Sequence, residues 1–277
     1  MSELTGHTFI FNGNELPIDQ YDKVDDLLKK HPSIYEVVRI EEGVPLFLED
    51  YLHRLENSFA TISKVKSYSD EEIASTIYRL IKINKHESGP VKLIFGTDRN
   101  SFFFAYLMRP HLPKPHEYIS GVKTIFLEEE RKNPTAKVWN ESLRNKSVKL
   151  IEDTQVYEAI LVNESGFITE ASRSNVFFIR NDIVYTTPSD IVLPGITRKK
   201  VLKVCEQNKI NVEFKALHKK DLPQYESCFL TGTARRIVPV RQINDQQFSV
   251  EKNILHRIIA GFDKMVLDYI QKKKKEK

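Results

Sequence analysis

Cysteine is scarce: Cys205 and Cys228 are the only two in 277 residues, both in apolar surroundings with no CxxC or Cys/His spacing. A disulfide framework and a structural zinc site are therefore not expected, and buried reduced thiols point to an intracellular, cytoplasmic compartment. The opening Met1-Ser2-Glu3-Leu4-Thr5 lacks the basic stretch and apolar run of a secretory signal. No apolar stretch approaches the roughly 18 residues of a membrane-spanning helix, so no membrane association is expected. Internal repeats are absent. Charge of one sign is also missing outside the end of the chain. The net charge of +4 includes the run Lys272-Lys273-Lys274-Lys275-Glu276-Lys277, so the rest is close to neutral and a nucleic-acid partner has no footprint. The run itself, 272–277, reads as a solvated, frayed tail.

What is present suffices for a sizeable core: 40% hydrophobic residues, with 16 Phe and 11 Tyr. The length exceeds the usual single domain. Strands are expected at Phe9–Phe11, Ile34–Ile40 and Pro45–Leu48. Helices follow from Glu49 and from Ser69 to Asn84, and two more strands at Val91–Gly96 and Phe102–Leu107. Arg109-Pro110-His111-Leu112-Pro113-Lys114-Pro115 excludes a helix or central strand and reads as a linker. It divides the chain into 1–113 and 114–277. Beyond it, strands are expected around Val122, Ile160, Phe177, Val184, Leu230 and Val238. Helices are expected around Leu143, over Pro194–Asn208 and over Val250–Ile270. The class is mixed α/β in two lobes.

Four short motifs in fixed order carry chemistry. Lys137, in Pro134-Thr135-Ala136-Lys137-Val138-Trp139, sits in a mostly uncharged segment that would desolvate an amine and favour its reactive neutral form. Lysine is the side chain that condenses with an aldehyde to a protonatable imine at neutral pH. Glu170, in Thr169-Glu170-Ala171-Ser172-Arg173-Ser174-Asn175, is the carboxylate a pyridinium nitrogen requires. Leu193-Pro194-Gly195-Ile196-Thr197-Arg198 opens a helix, with Pro194 in its first turn and Thr197 able to cap. The amides of Gly195, Ile196 and Thr197 could hold a phosphate. Thr231-Gly232-Thr233-Ala234 is a small-residue turn whose N–H groups can approach an anion, and Arg54 could clamp the same phosphate. Each motif alone is an ordinary surface lysine, turn acid or helix start. Together they are the parts that hold pyridoxal 5'-phosphate.

In this combination the chain resembles the class IV aminotransferase family of fold-type-IV pyridoxal phosphate enzymes. That family includes branched-chain and D-amino acid aminotransferases and aminodeoxychorismate lyases. The resemblance runs from Phe11-Asn12-Gly13 to Val238-Pro239-Val240. It implies a cytoplasmic homodimer whose protomer has a small N-terminal α/β domain and a larger barrel-like C-terminal domain, with the cofactor between them. It also implies that Lys137 is the cofactor lysine and Glu170 the acid on the pyridine nitrogen. Arg54, Ile196, Thr197, Gly232 and Thr233 would serve the phosphate, while Tyr35 and the Thr233-Ala234 amides would line the substrate pocket. No metal is implied.

Three departures bear on the substrate. Where the family commonly carries Gly-Asp-Gly before the Tyr35 strand, this chain has Lys30-His31-Pro32-Ser33-Ile34. Asn140 follows Lys137 by three residues, a spacing nearer the D-amino acid and lyase branches. Arg235 and Arg236 replace the small residue and acid of branched-chain enzymes, and the two read as a second-anion site for a dicarboxylate such as 2-oxoglutarate; Arg173 is open to the same reading. The expected activity is transamination between a small amino acid and a 2-oxo acid. An aminodeoxychorismate lyase, or a catalytically silent relative, would read similarly.

Overall fold

In the structure, a computed structural model, residues 3–22, 30–98 and 101–276 are described. They form two compact units. The first comprises Met1–His111, Ala136–Trp139 and Leu267–Lys277; the second comprises Leu112–Thr135 and Asn140–Val266.

The first unit is built on a six-stranded sheet. Its strands are β1 (Leu4–Phe11), β2 (Asn14–Pro17), β3 (Ser33–Glu41), β4 (Val44–Pro45), β5 (Gly89–Gly96) and β6 (Phe103–Met108), in the order β2-β1-β6-β5-β3-β4. All five pairings are antiparallel. The expected strand at Pro45–Leu48 is shorter, because Leu48 already opens helix α1 (Leu48–Thr61). Along β3 burial alternates: Ile34, Glu36, Val38 and Ile40 are buried, while Tyr35, Val37 and Arg39 are half-buried. This period-2 pattern is that of a strand with one closed face and one partly open face. Helix α2 (Asp70–Asn84) starts on a capping box. Ser69 Oγ accepts from the Glu72 amide at 3.1 Å, and Glu72 Oε2 accepts from the Ser69 amide at 2.7 Å. Leu4, Phe9, Ile94, Phe102, Phe104 and Tyr106 pack together.

The second unit holds the short helix α3 (Glu117–Ser120), β7 (Val122–Glu128), helix α4 (Glu141–Thr154), β8 (Glu158–Val162), β9 (Phe167–Ala171), β10 (Asn175–Arg180) and β11 (Ile183–Thr186). Helix α5 (Ile196–Gln207), β12 (Val212–Phe214), β13 (Leu217–His218), β14 (Ser227–Gly232), β15 (Arg236–Ile243), β16 (Gln246–Gln247) and helix α6 (Asn253–Lys275) follow, the residues of α6 from Leu267 on belonging to the first unit. Its sheet runs β12-β11-β10-β14-β15-β7-β8-β9-β13, with β16 beside β15. The β7–β8 pair is parallel, with α4 as the intervening crossover. Both cysteines are buried and unbridged, and burial pushes the Cys205 thiol up to about 12.

Three expectations are corrected. Glu170 stands on a strand, β9, and not in a turn between strands. Helix α5 begins at Ile196 with Gly195 as its N-cap, so Pro194 precedes the helix and Thr197 does not cap it. Of the lysine run, expected to fray, Lys272–Lys275 form the last turn of α6, because acids of the first unit receive them; Lys277 lies outside the described residues. Lys273 Nζ lies 2.7 Å from Glu49, Lys274 Nζ lies 2.6 Å from Glu42, and Tyr269 donates to Glu49 at 2.8 Å. No helix among the described residues is long and apolar enough to cross a membrane.

Replacing Ser69 by Ala removes half of the α2 capping box. A loss of about 1 kcal/mol is expected, read as a lower denaturant midpoint with an unchanged slope.

Candidate active site

Lys137 belongs to the first unit because its segment adds to the edge of β3. The Tyr35 amide donates to the Lys137 carbonyl at 3.1 Å, the Trp139 amide donates to the Ser33 carbonyl at 3.1 Å, and Ile34 and Val138 form an antiparallel bridge. The Lys137 amide donates to Ser58 Oγ at 3.3 Å, and that hydroxyl donates to the Arg54 carbonyl on α1. With the backbone fixed, Lys137 Nζ lies 5.0 Å from the Tyr35 ring centroid, and Trp139 meets Tyr35 edge to face at 5.5 Å. An amine held against an aromatic face is partly desolvated, as a nucleophilic lysine requires.

Arg54 lies on α1 in the same unit. It is buried and holds Glu36 with two parallel bonds, Nε to Oε1 at 2.8 Å and Nη2 to Oε2 at 2.5 Å. Burial works against its charge, and Glu36 more than offsets that, leaving its pKa raised. The departure at Lys30–Ile34 is an anchored loop: His31 Nδ1 lies 2.5 Å from Asp98 Oδ2, and the Thr97 amide and hydroxyl both donate to the Pro32 carbonyl at 3.0 Å.

In the second unit Glu170 is 3% exposed. Arg131 Nε donates to its Oε1 at 2.7 Å and Asn175 Nδ2 lies 3.4 Å from its Oε2. A carboxylate buried to this degree needs a cation, and Arg131 supplies it. Asn175 also donates to the Leu193 carbonyl at 2.8 Å. A side chain at position 195 would run into Asn175, so glycine there lets the start of α5 approach β10. The Gly195 amide is taken by the Leu193 carbonyl at 2.8 Å, which removes it from the expected anion donors. Ile196 and Thr197 are first-turn amides, for which a helix offers no carbonyl. Burial pushes the Arg198 guanidinium down to about 10, against the pull of Glu170.

Gly232 pairs with Arg236, so Thr233, Ala234 and Arg235 form a three-residue hairpin loop between β14 and β15. Arg236 takes the left-handed conformation at φ 60°, as such loops require of the residue that closes them. Thr231 Oγ1, just before the loop, is a buried hydroxyl without a hydrogen-bond partner. The two arginines are engaged within the unit. Arg235, 5% exposed, donates to Glu158 Oε2 and lies 3.2 Å from Ser174 Oγ; Arg236 Nη1 donates to Asp263 at 2.9 Å. Glu158 also accepts from the Arg173 amide at 2.6 Å and from Ser174 Oγ at 2.9 Å. One buried carboxylate thus ties the loop that follows Glu170 to the hairpin that follows Thr231.

The structure therefore gathers Lys137, Tyr35 and Arg54 in one unit. In the other it holds Glu170, Ile196 and Thr197 around Asn175, and Gly232, Thr233, Ala234 and Arg235 around Glu158. The sequence reading gave no role to Arg131, Glu158 or Asn175. Asn175 stood inside a motif already singled out; the others carried no local signal. Asn140 is a helix cap, accepting from the Leu143 amide at 3.0 Å, so its spacing from Lys137 reflects the start of α4. No cluster of His, Cys, Asp or Glu among the described residues could hold a metal ion.

The profile of the family Amino-transferase class IV matches residues 33–243, and the chain belongs to this family. It is 30% identical over 238 residues to the D-alanine aminotransferase of Bacillus licheniformis, covering 77% of this chain and 80% of that one. The fold is that of the fold-type-IV enzymes. The branched-chain amino acid aminotransferase of Escherichia coli superposes with a TM-score of 0.83 at 19% identity, covering 95% of each chain. The branched-chain aminotransferase of Thermoproteus uzoniensis, solved with norvaline, gives 0.83 at 20% identity and 97% of each.

Glu158→Gln leaves Arg235 buried without its counter-charge. A loss of about 3–5 kcal/mol is expected by chemical denaturation, and the double variant Glu158→Gln/Arg235→Met should recover a large part of it.

Proposed function

We propose that this chain is a pyridoxal-phosphate-dependent transaminase moving an amino group between a small amino acid and a 2-oxo acid, working as a homodimer in the cytoplasm. The carrying observation is Lys137 itself: a lysine fixed through its backbone to β3, its ammonium nitrogen resting on the Tyr35 ring, in a chain of the class IV family. The residues fit the cofactor. Glu170 is a buried acid suited to a ring nitrogen, and Thr231 presents a buried unpartnered hydroxyl beside the small-residue hairpin. When bound, pyridoxal phosphate supplies an electron sink for a carbanion at the substrate α-carbon.

The residues divide the remaining work. Lys137 Nζ would hold the cofactor and would move the proton at the substrate α-carbon. Glu170, kept in place by Arg131 and Asn175, holds a proton on the ring nitrogen. The amides of Ile196, Thr197 and Thr233 receive the phosphate, with Arg54 as a further cation. Tyr35 and the Thr233-Ala234 amides orient the substrate. Arg235 is proposed here as a support of that hairpin, since Glu158 engages it. The likeness to a D-alanine aminotransferase supports a small donor and leaves its hand to experiment.

The test is the visible spectrum of the purified protein under titration with single L- and D-amino acids. A visible band that one amino acid bleaches, and that Lys137→Ala abolishes, is the expected result. A colourless protein that takes up no pyridoxal phosphate would refute the reading. Persistence of the band with every amino acid, together with release of 4-aminobenzoate from aminodeoxychorismate, would replace transamination by the lyase reaction.

A further inference from the structure

The half-open face of the first sheet carries a second ammonium beside Lys137. Lys92 stands on β5 opposite Val37, next to the Tyr35–Ile94 pair, and so shares the Tyr35 face. Its side chain is 2% exposed. Lys92 Nζ lies 4.3 Å from the Trp139 ring centroid, 5.4 Å from that of Tyr35 and 5.8 Å from that of Tyr106. The nitrogens of Lys92 and Lys137 thus touch the same Tyr35 ring.

Three aromatic faces favour a cation but cannot replace an anion. That anion is Glu3. Its Oε1 accepts from Lys92 Nζ and also from the Tyr106 hydroxyl at 2.6 Å. Ammonium and phenol converging on one carboxylate oxygen is the donor arrangement that would bind the acid group of a small ligand. Glu3 is a local substitute for such a ligand. Its carbonyl accepts from the Arg109 amide at 2.6 Å, which places the residue beside the end of β6, while its side chain is 25% exposed. Lys92 is closed off, and the residue lying over it is open to solvent.

We propose that Lys92 and Tyr106, walled by Trp139, form a carboxylate subsite that Glu3 of the same chain fills, so that Glu3 selects against amino and oxo acids carrying a second carboxylate. This rests on the transaminase reading for its meaning, but not for its test. The cation expected to serve a second carboxylate, Arg235, is engaged by Glu158, and Arg236 by Asp263, which leaves Lys92 as the buried cation on the lysine-bearing face. Removing Glu3 would take away the carboxylate oxygen that both donors share without altering the Lys137 backbone pairing.

Binding of two unreactive probes to the purified holoenzyme, measured by calorimetry, needs no turnover: glutarate, a dicarboxylate with neither amino nor oxo group, and pentanoate, its monocarboxylate counterpart. Glu3→Ala should bind glutarate about ten-fold more tightly than the wild type, the scale of one charge-assisted contact, with pentanoate unchanged. The gain should vanish in Glu3→Ala/Lys92→Met and shrink in Glu3→Ala/Tyr106→Phe; the second variant decides the matter if the first does not fold. No gain for glutarate, an equal gain for pentanoate, a gain that survives loss of Lys92, or a gain undiminished by loss of the Tyr106 hydroxyl would overturn the proposal. A protein that binds glutarate as expected yet transaminates nothing would keep the subsite and lose the transaminase reading. Turnover without the glutarate gain would do the reverse.

Discussion

A charge taken out of water must bring its opposite with it, and both units are organised by that demand. Glu36 meets Arg54, Glu3 meets Lys92, Glu170 meets Arg131 and Glu158 meets Arg235. The partners are 18, 89, 39 and 77 residues apart in the chain. Such pairs add little net stability over well-packed apolar residues of the same volume. Their effect is on uniqueness: an arrangement that separates one pair strands a buried charge, so few alternatives compete. Each pair also sits beside a residue of chemical interest. Glu36 adjoins Tyr35, Lys92 touches Tyr35 and Trp139, Arg131 holds Glu170, and Arg235 ends the hairpin that follows Thr231.

The geometry on the two sides differs in kind. In the first unit Lys137 is placed by backbone pairing, two hydrogen bonds to β3 that any residue could make, and its ammonium lies over the Tyr35 ring. In the second unit placement depends on side chains. Asn175 and Glu158 each collect donors or acceptors from several loops, and the hairpin accommodates a left-handed Arg236 between two ion pairs. Left-handed backbone at a non-glycine residue is unfavourable by about 1–2 kcal/mol, and it persists where surrounding contacts determine it.

Much of this was legible in the sequence. β-Branched residues marked β3, the acidic first turn after Ser69 marked α2, and Lys137, Glu170 and the Gly195 turn stood out by residue type. What stayed hidden was long-range. Arg235 looked like a cation awaiting substrate because Glu158 is 77 residues away. Strand β9 was missed because its five residues, Phe167-Ile168-Thr169-Glu170-Ala171, are short and bury an acid where the pattern asks for an apolar side chain. The lysine run looked frayed because Glu42 and Glu49, which receive it, lie more than 200 residues earlier, at separations of 232 for Lys274 and Glu42 and 220 for Tyr269 and Glu49. Four residues, Ala136–Trp139, cannot declare by periodicity which unit they join.

That last placement bears on how the molecule is made. The unit that carries Lys137 is assembled from residues 1–111, 136–139 and 267–277, and so is not a contiguous stretch of polypeptide. A ribosome delivers its final strip only after everything belonging to the second unit has been synthesised, roughly ten to thirty seconds after residue 111 at the usual pace of translation. The N-terminal sheet must wait unfinished, its β3 edge unpaired at Ser33–Tyr35 until the lysine segment arrives. Completion of the unit that carries Lys137 is therefore a late event in the biogenesis of the chain, and an exposed strand edge is the hazard it carries until then.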